Sequence, residues 1–414
     1  MVDTAAQQAA AAEAASMPIE AIDPSDEKYF VNDTIKHYLA RLRRDAPVHW
    51  VESPNYGGYW SITKFDDIMK VDTNWKTYSS DFSNGGIMIM DVPNSQGFIS
   101  TDPPVHNVQR KSVENTMAPA NLANLESLVR ERTERVLDGL PRGEVFDWVP
   151  EVSKTLTALM LGTLFDLTEE ESMNIPVWTE KIISFPGIHG RYATFEEKYA
   201  DLQPIWDFFA ECWERKRHEE PKFDLISMLV HNPKTQNMSR TEFEANLRLL
   251  IVGGNDTTRN SMTSGLIQMK ENPEEYAKIK AKPELIENMV SELIRWQTPL
   301  AHMRRTATED IEIRGKKIKA GDKVVMWYLS GNFDEEKIEN ADKFMIERPH
   351  ARQHLSFGFG LHRCLGNRVA ELQLRILWEE FLKRFDDFEI IGEPVFSNHN
   401  FVRGFDKLMV KLPA

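Results

Sequence analysis

Apolar residues recur three and four positions apart along most of this chain. The strongest such stretches run from Leu125 to Leu140, Val152 to Phe165, Ala200 to Arg217, Arg240 to Met269, Pro283 to Trp296 and Asn367 to Phe385, and each predicts a helix. Alternating, β-branched runs are few: Gly58 to Ile62, Ile311 to Ile313 and Lys323 to Trp327. The pattern predicts a mainly α fold with small β-sheets. From about Ile22 to the end no Pro/Gly/Ser-rich linker, composition break or internal repeat interrupts it, so residues 22–414 are expected to be one domain large enough to enclose a cofactor. Residues 1–21 differ. The first sixteen are rich in Ala and Gln, carry Asp3 and Glu13 but no Lys or Arg, and contain no long apolar run, so they read as a flexible segment rather than a signal peptide or membrane anchor.

Charge narrows the partners. With 64 acidic residues against 50 basic, a net charge of −14 disfavours nucleic acid or an anionic membrane. Two cysteines in such a length argue against a disulfide framework and for a reducing, cytoplasmic setting. The charge is uneven, however. No acid occurs from Arg348 to Ala370, where Arg348, Arg352, Arg363 and Arg368 cluster, and a local basic face of this kind suits an acidic protein partner or bound carboxylates.

One cysteine stands inside that basic run. Cys364 closes the segment Phe357-Gly358-Phe359-Gly360-Leu361-His362-Arg363-Cys364-Leu365-Gly366, just before the helix expected from Asn367. Unpaired N–H groups at a helix start favour a thiolate, which makes Cys364 a candidate metal ligand or nucleophile, and the glycines let backbone amides approach the sulfur. No Gly-Lys-Ser/Thr follows, which argues against a phosphate loop. The alternative is an inert buried thiol, a description that suits Cys212. A second unusual segment is Leu247 to Met262, where an apolar helix runs into Gly253-Gly254-Asn255-Asp256-Thr257-Thr258. Interior glycines cost roughly 0.5–1 kcal/mol each relative to alanine, so the pair signals close approach of something to the backbone, or else tight helix packing or a kink. An acid beside an alcohol, Asp256 and Thr257, can relay protons.

Taken together, Phe357-Gly358-x-Gly360-x-His362-x-Cys364-x-Gly366 resembles the haem-thiolate signature of the cytochrome P450 monooxygenases, and Gly253 to Thr258 is similar to that family's oxygen-activation motif. The resemblance implies a triangular helical fold with haem b held between a long central helix and the cysteine loop. It implies Cys364 as the iron ligand, Phe357, Gly366 and Gly253 against the macrocycle, and Asp256 and Thr257 as the acid and the alcohol. His106 and Arg110, one turn apart, match the family's propionate contacts, as do Arg305 and His362. Glu292 and Arg295 match its Glu-x-x-Arg pair, and Lys343 stands where a third arginine is expected.

Within the family the resemblance leans toward bacterial terminal alkane and fatty-acid hydroxylases. A terminal methyl C–H bond is stronger than its methylene neighbours, so an apolar, narrow pocket must override intrinsic reactivity. Residues implied at that pocket are Leu249, Val252, Gly253, Leu300, Ala301, Met303, Phe401 and Val402, with the loop carrying Ile87, Met88, Met90 and Val92 closing over them. Ile183 to Gly190 is an implied entrance lid. No flavin or nicotinamide fingerprint accompanies Gly358-x-Gly360, so electrons are expected from a [2Fe-2S] ferredoxin and its FAD-dependent reductase, docked near Arg352, Arg363 and Arg368. The competing readings are the same chemistry on a terpene, aromatic or steroid, a haem gas sensor, and a metal-free cysteine nucleophile.

Overall fold

The computed structural model describes residues 4–93 and 95–414, except for the side chains of 119, 120 and 124. Its longest element is the central helix Arg240–Glu271. Ser239 starts it with a capping box: the Ser239 hydroxyl accepts from the Glu242 N–H, and the Glu242 carboxylate accepts from the Ser239 N–H. A second long helix, Asn367–Arg384, leaves the cysteine loop and packs on Pro119–Asp138.

Both long helices bridge two apolar cores. Phe243, Leu247 and Ile251 of the central helix join a core with Leu161, Leu164, Phe165 and Phe209, whereas Met262, Leu266 and Met269 join another with Leu293, Trp378 and Phe381. Val369, Leu372 and Ile376 of the cysteine-loop helix likewise pack with the first core, and Leu374, Leu377 and Phe381 with the second. The change-over on the central helix falls at Gly253–Thr258. A cavity opens there.

The β structure is small. Five strands lie in the order Val48–Ser53, Gly57–Ile62, Lys323–Met326, Met303–Ala307 and Tyr78–Ser79, with only the second and third parallel. Met303–Ala307 brings Arg305 into register opposite Val324. Three other sheets have two or three short strands each.

The expected helices are present with shifted ends, as Pro119–Asp138, Thr155–Phe165, Phe195–Arg217, Ile286–Gln297 and Asn367–Arg384. Sequence periodicity missed Ile35–Asp45, Phe65–Thr73 and Val105–Val113, all eleven residues or shorter. Within the N-terminal segment, Thr4–Ser16 forms a helix that packs on Ile35–Asp45. Alanine is the best helix former, and its small side chain lets the two helices approach until Ala10 and Ala14 are buried. The Tyr38 hydroxyl fixes the contact by donating to Glu13 Oε2 at 2.8 Å.

Candidate active site

The cavity has Cys364 on its floor and the central helix as its roof, and encloses or opens onto about 1340 Å³ of atom-free space. Gly358 and Gly360 take left-handed φ of 62° and 64°, which turns the backbone tightly before the sulfur. A Cβ on Gly360 would lie 2.8 Å from the Asp72 carbonyl, so only glycine lets the loop seat there. The Cys364 N–H donates to the Phe357 carbonyl at 2.8 Å, closing the turn. Burial pushes the Cys364 thiol up, while the Gly366 N–H and the Arg110 and Arg363 guanidiniums pull it back. Cys212, by contrast, is buried in apolar packing among the helices of the first core.

Opposite Cys364, the glycine pair divides its work. A Cβ at Gly253 would meet nothing within 4 Å, leaving a bare helix face on the cavity, whereas one at Gly254 would lie 2.5 Å from Leu161 Cδ2. The first allows close approach from the cavity. The second allows helix packing. Thr257 lines the cavity and donates its hydroxyl to the Gly253 carbonyl at 2.8 Å. Asp256 turns away from it. Its Oδ1 lies 3.1 Å from Arg259 Nη2 and accepts from Asn255 Nδ2 at 3.1 Å, in a fully buried setting where desolvation pushes the carboxyl up against the pull of Arg259.

The cofactor fits this lining. Arg110, Arg305, Phe357, His362, Cys364 and Gly366 all face the cavity. His106 packs its ring 4.6 Å from that of His362 in an edge-on arrangement. The two buried histidines leave His106 Nε2 and His362 Nδ1 without a protein hydrogen-bond partner, and buried polar nitrogens of this kind call for an acceptor such as a propionate. Burial holds both rings below their ordinary value beside the cationic Arg110 and Arg305, and with His106 Nδ1 already facing Asn107 Oδ1 at 3.1 Å, a propionate at Nε2 would favour the protonated ring. Among the described residues no group of three or more His, Cys, Asp or Glu could hold a metal ion.

Behind the floor, Glu292 and Arg295 form a two-pronged pair at 2.8 Å, fully buried. Lys343 offers only its carbonyl, to Arg295 at 3.2 Å and Arg348 at 2.8 Å. The third member is Arg348, whose Nε donates to Glu292 Oε2 at 2.8 Å. The expected spacing pointed one residue before Phe344. The planar fork lies four residues after it.

Of the apolar residues expected at the pocket, Leu249, Gly253, Leu300 and Met303 line the cavity, while Ile87, Met88, Met90, Val92, Val252, Ala301, Phe401 and Val402 do not. The loop around Ile87 is tied elsewhere: the Arg304 N–H and guanidinium hold the Ile87 and Met88 carbonyls, and Ile89 packs with Tyr29, Tyr59 and Ala301. The walls missed by sequence include Phe98, Ile99, Met160, Leu161, Leu164 and Leu250. Only Phe98-Ile99, an apolar pair just before Asp102-Pro103, carried a local signal.

On the outer side of the floor, a second cleft lined by Arg110, Glu114, Arg352, Arg363 and Arg368 reaches Cys364 from the surface. Arg363 and Arg368 are exposed, while Arg352 is paired with Glu371 at 2.5 Å. Among the described residues no helix is long and apolar enough to cross a membrane.

The family model described as Cytochrome P450 matches residues 61–404. Linalool 8-monooxygenase of Pseudomonas putida is 35% identical over 387 residues, 90% of this chain and 94% of that protein. A methyl-branched lipid omega-hydroxylase of Mycobacterium tuberculosis is 30% identical over 389 residues, 90% of each chain. The solved structure of a cytochrome P450-153 from Novosphingobium aromaticivorans superposes with a TM-score of 0.88 at 41% identity, covering 94% of this chain and 99% of that one.

Proposed function

Because the chain belongs to the cytochrome P450 family and is a haem-thiolate monooxygenase, we propose that it hydroxylates the terminal carbon of medium-chain alkanes or fatty acids, with electrons from a ferredoxin and its reductase. When bound, the haem supplies the one-electron and dioxygen chemistry that places one oxygen atom into an unactivated C–H bond. Cys364 holds the iron, and His106, Arg110, Arg305 and His362 take the propionates. Leu249, Leu250, Leu300, Met303 and Phe98 present hydrocarbon to the substrate and keep water from it.

Proton delivery falls to Thr257 and Asp256. The Thr257 hydroxyl stands on the cavity face and holds a proton at its Oγ1, within reach of whatever binds beside Gly253. Asp256 sits one residue before it, with its carboxyl turned to Arg259; released from that pair, it would take up a proton from solvent and pass it to Thr257 Oγ1.

The observation that carries this reading is the apolar cavity joining Thr257 to Cys364. The relatives named for an omega-hydroxylase and for the 8-position of linalool favour attack on methyl groups. For the electron donor, the support is the cleft of Arg110, Arg363 and Arg368 leading to Cys364, a basic face within an acidic protein. Titrating the haem-loaded protein with alkanes, fatty acids, linalool and bulky cyclic compounds tests the substrate class, followed by product analysis with a ferredoxin system. Spin-state response and primary alcohol from the linear substrates are expected. Response to bulky cyclic compounds alone would overturn the assignment.

A further inference from the structure

Asp72 closes the helix Phe65–Thr73 and is 3% exposed. Its Oδ1 accepts from Arg305 Nη2 at 2.7 Å. Its Oδ2 accepts from the Phe359 N–H at 2.7 Å and from the Tyr328 hydroxyl at 3.2 Å. With both oxygens accepting from donors, the geometry suits a carboxylate and leaves no acceptor for a carboxyl proton. Burial pushes this carboxyl up, opposed by Arg305, the Phe359 N–H and Tyr328.

These contacts join two walls of the cavity. Arg305 lines it from the strand Met303–Ala307, and Phe359 belongs to the loop that carries Cys364. The chain positions are far apart: 233 residues separate Asp72 from Arg305 and 287 separate it from Phe359. Arg305 also spends an Nη1 N–H on the Arg304 carbonyl at 2.8 Å, so two hydrogen bonds fix the plane of a guanidinium that lines the cavity.

We propose that Asp72 is a positioning residue for the cofactor: its buried charge aims Arg305 at a haem propionate, ties that arrangement to the cysteine loop, and offsets the positive field of Arg305 at the iron. Without this partner the buried guanidinium would have the propionate as its sole counter-charge and no anchor to hold it in place. An added negative charge disfavours the reduced iron, so Asp72 holds the reduction potential down.

The test uses the haem-loaded full chain and measures its midpoint potential and its rate of haem loss to an excess of apomyoglobin. Asp72→Asn, which keeps the shape and removes the charge, is expected to shift the ferric/ferrous balance about tenfold toward ferrous, ~59 mV for a one-electron couple. It should release haem several times faster than the unaltered protein. Arg305→Gln should lower the potential and also speed release, and adding Asp72→Asn to Arg305→Gln should bring no further increase in release rate. An unchanged potential in Asp72→Asn, or release rates that multiply independently in the double variant, overturns the proposal. If Asp72→Asn does not load haem, Asp72→Glu serves: retained charge predicts an unshifted potential, and a positive shift there contradicts the assignment.

Discussion

Asp256 and Thr257 are adjacent in sequence and serve different faces of one helix: Thr257 looks into the cavity, while Asp256 lies 3.1 Å from Arg259 on the buried side. Successive residues on an α-helix diverge by about 100°, so an acid and an alcohol side by side cannot both point at one substrate. The pair works as a relay only if the acid moves. Asp256→Asn should leave substrate affinity intact and reduce turnover by about 10²-fold, whereas Thr257→Ala should keep consuming electrons while diverting them to hydrogen peroxide. Product and peroxide counted against electrons supplied separate the two; equal loss of electron consumption in both would argue against the assigned roles.

The two central glycines differ in sign. Gly253→Ala gains helix propensity, up to about 1 kcal/mol, and projects its methyl into the cavity, so stability should hold while substrate binding weakens. Gly254→Ala places a methyl 2.5 Å from Leu161 and should cost about 1–3 kcal/mol, with ligand binding unchanged in the folded fraction. Denaturant midpoints and substrate titrations on the two variants check this.

Arg348, rather than Lys343, completes the buried network on Glu292. Truncating Arg348 leaves a buried carboxylate short of a partner and should destabilise by about 3–5 kcal/mol. Lys343→Ala removes a side chain whose backbone does the bonding, and should stay within about 0.5 kcal/mol of the parent. Chemical denaturation compares them directly.

The contrast between these sites explains what the chain disclosed in one dimension. Cys364, its glycines and the Gly253 to Thr258 segment are contiguous, and each breaks a local preference strongly enough to stand out. The helix periods around them were legible for the same reason. Asp72 gave no such sign, because an acid at the end of a short amphipathic helix is ordinary until Arg305 and Phe359 meet it from more than 200 residues away. The pocket walls Met160, Leu161 and Leu164 likewise sit on a helix apolar all round, whose sequence does not reveal which side faces a cavity. The loop at Ile87 was expected to close over the substrate from its methionines and glycines. Its backbone is held by Arg304, a contact set by sheet register.

Acid should loosen the helix that leaves the cysteine loop. Burial alone would raise the Glu380 carboxyl, but Lys383, Arg130 and Arg384 pull it down to about 2. A depressed folded-state value means that its stabilisation is fully present above the ordinary glutamate value of 4.5 and is lost as pH falls from there toward about 2. Melting temperature followed across that window should fall more steeply in the parent than in Glu380→Gln. Equal slopes would contradict the role given to these charges.

Reversing the exposed charges at the outer cleft should slow electron delivery. Arg363→Glu and Arg368→Glu are expected to raise the ferredoxin KM with little change in substrate affinity, and rising salt should narrow the difference from the parent. Stopped-flow reduction at several ionic strengths checks it.

The most direct test of the whole account is the optical spectrum of the dithionite-reduced protein under carbon monoxide. A strongly red-shifted Soret band that is lost in Cys364→Ala establishes sulfur ligation from that position. A band at the place typical of histidine-ligated haem, or protein that stays colourless when supplied with haem, would contradict it.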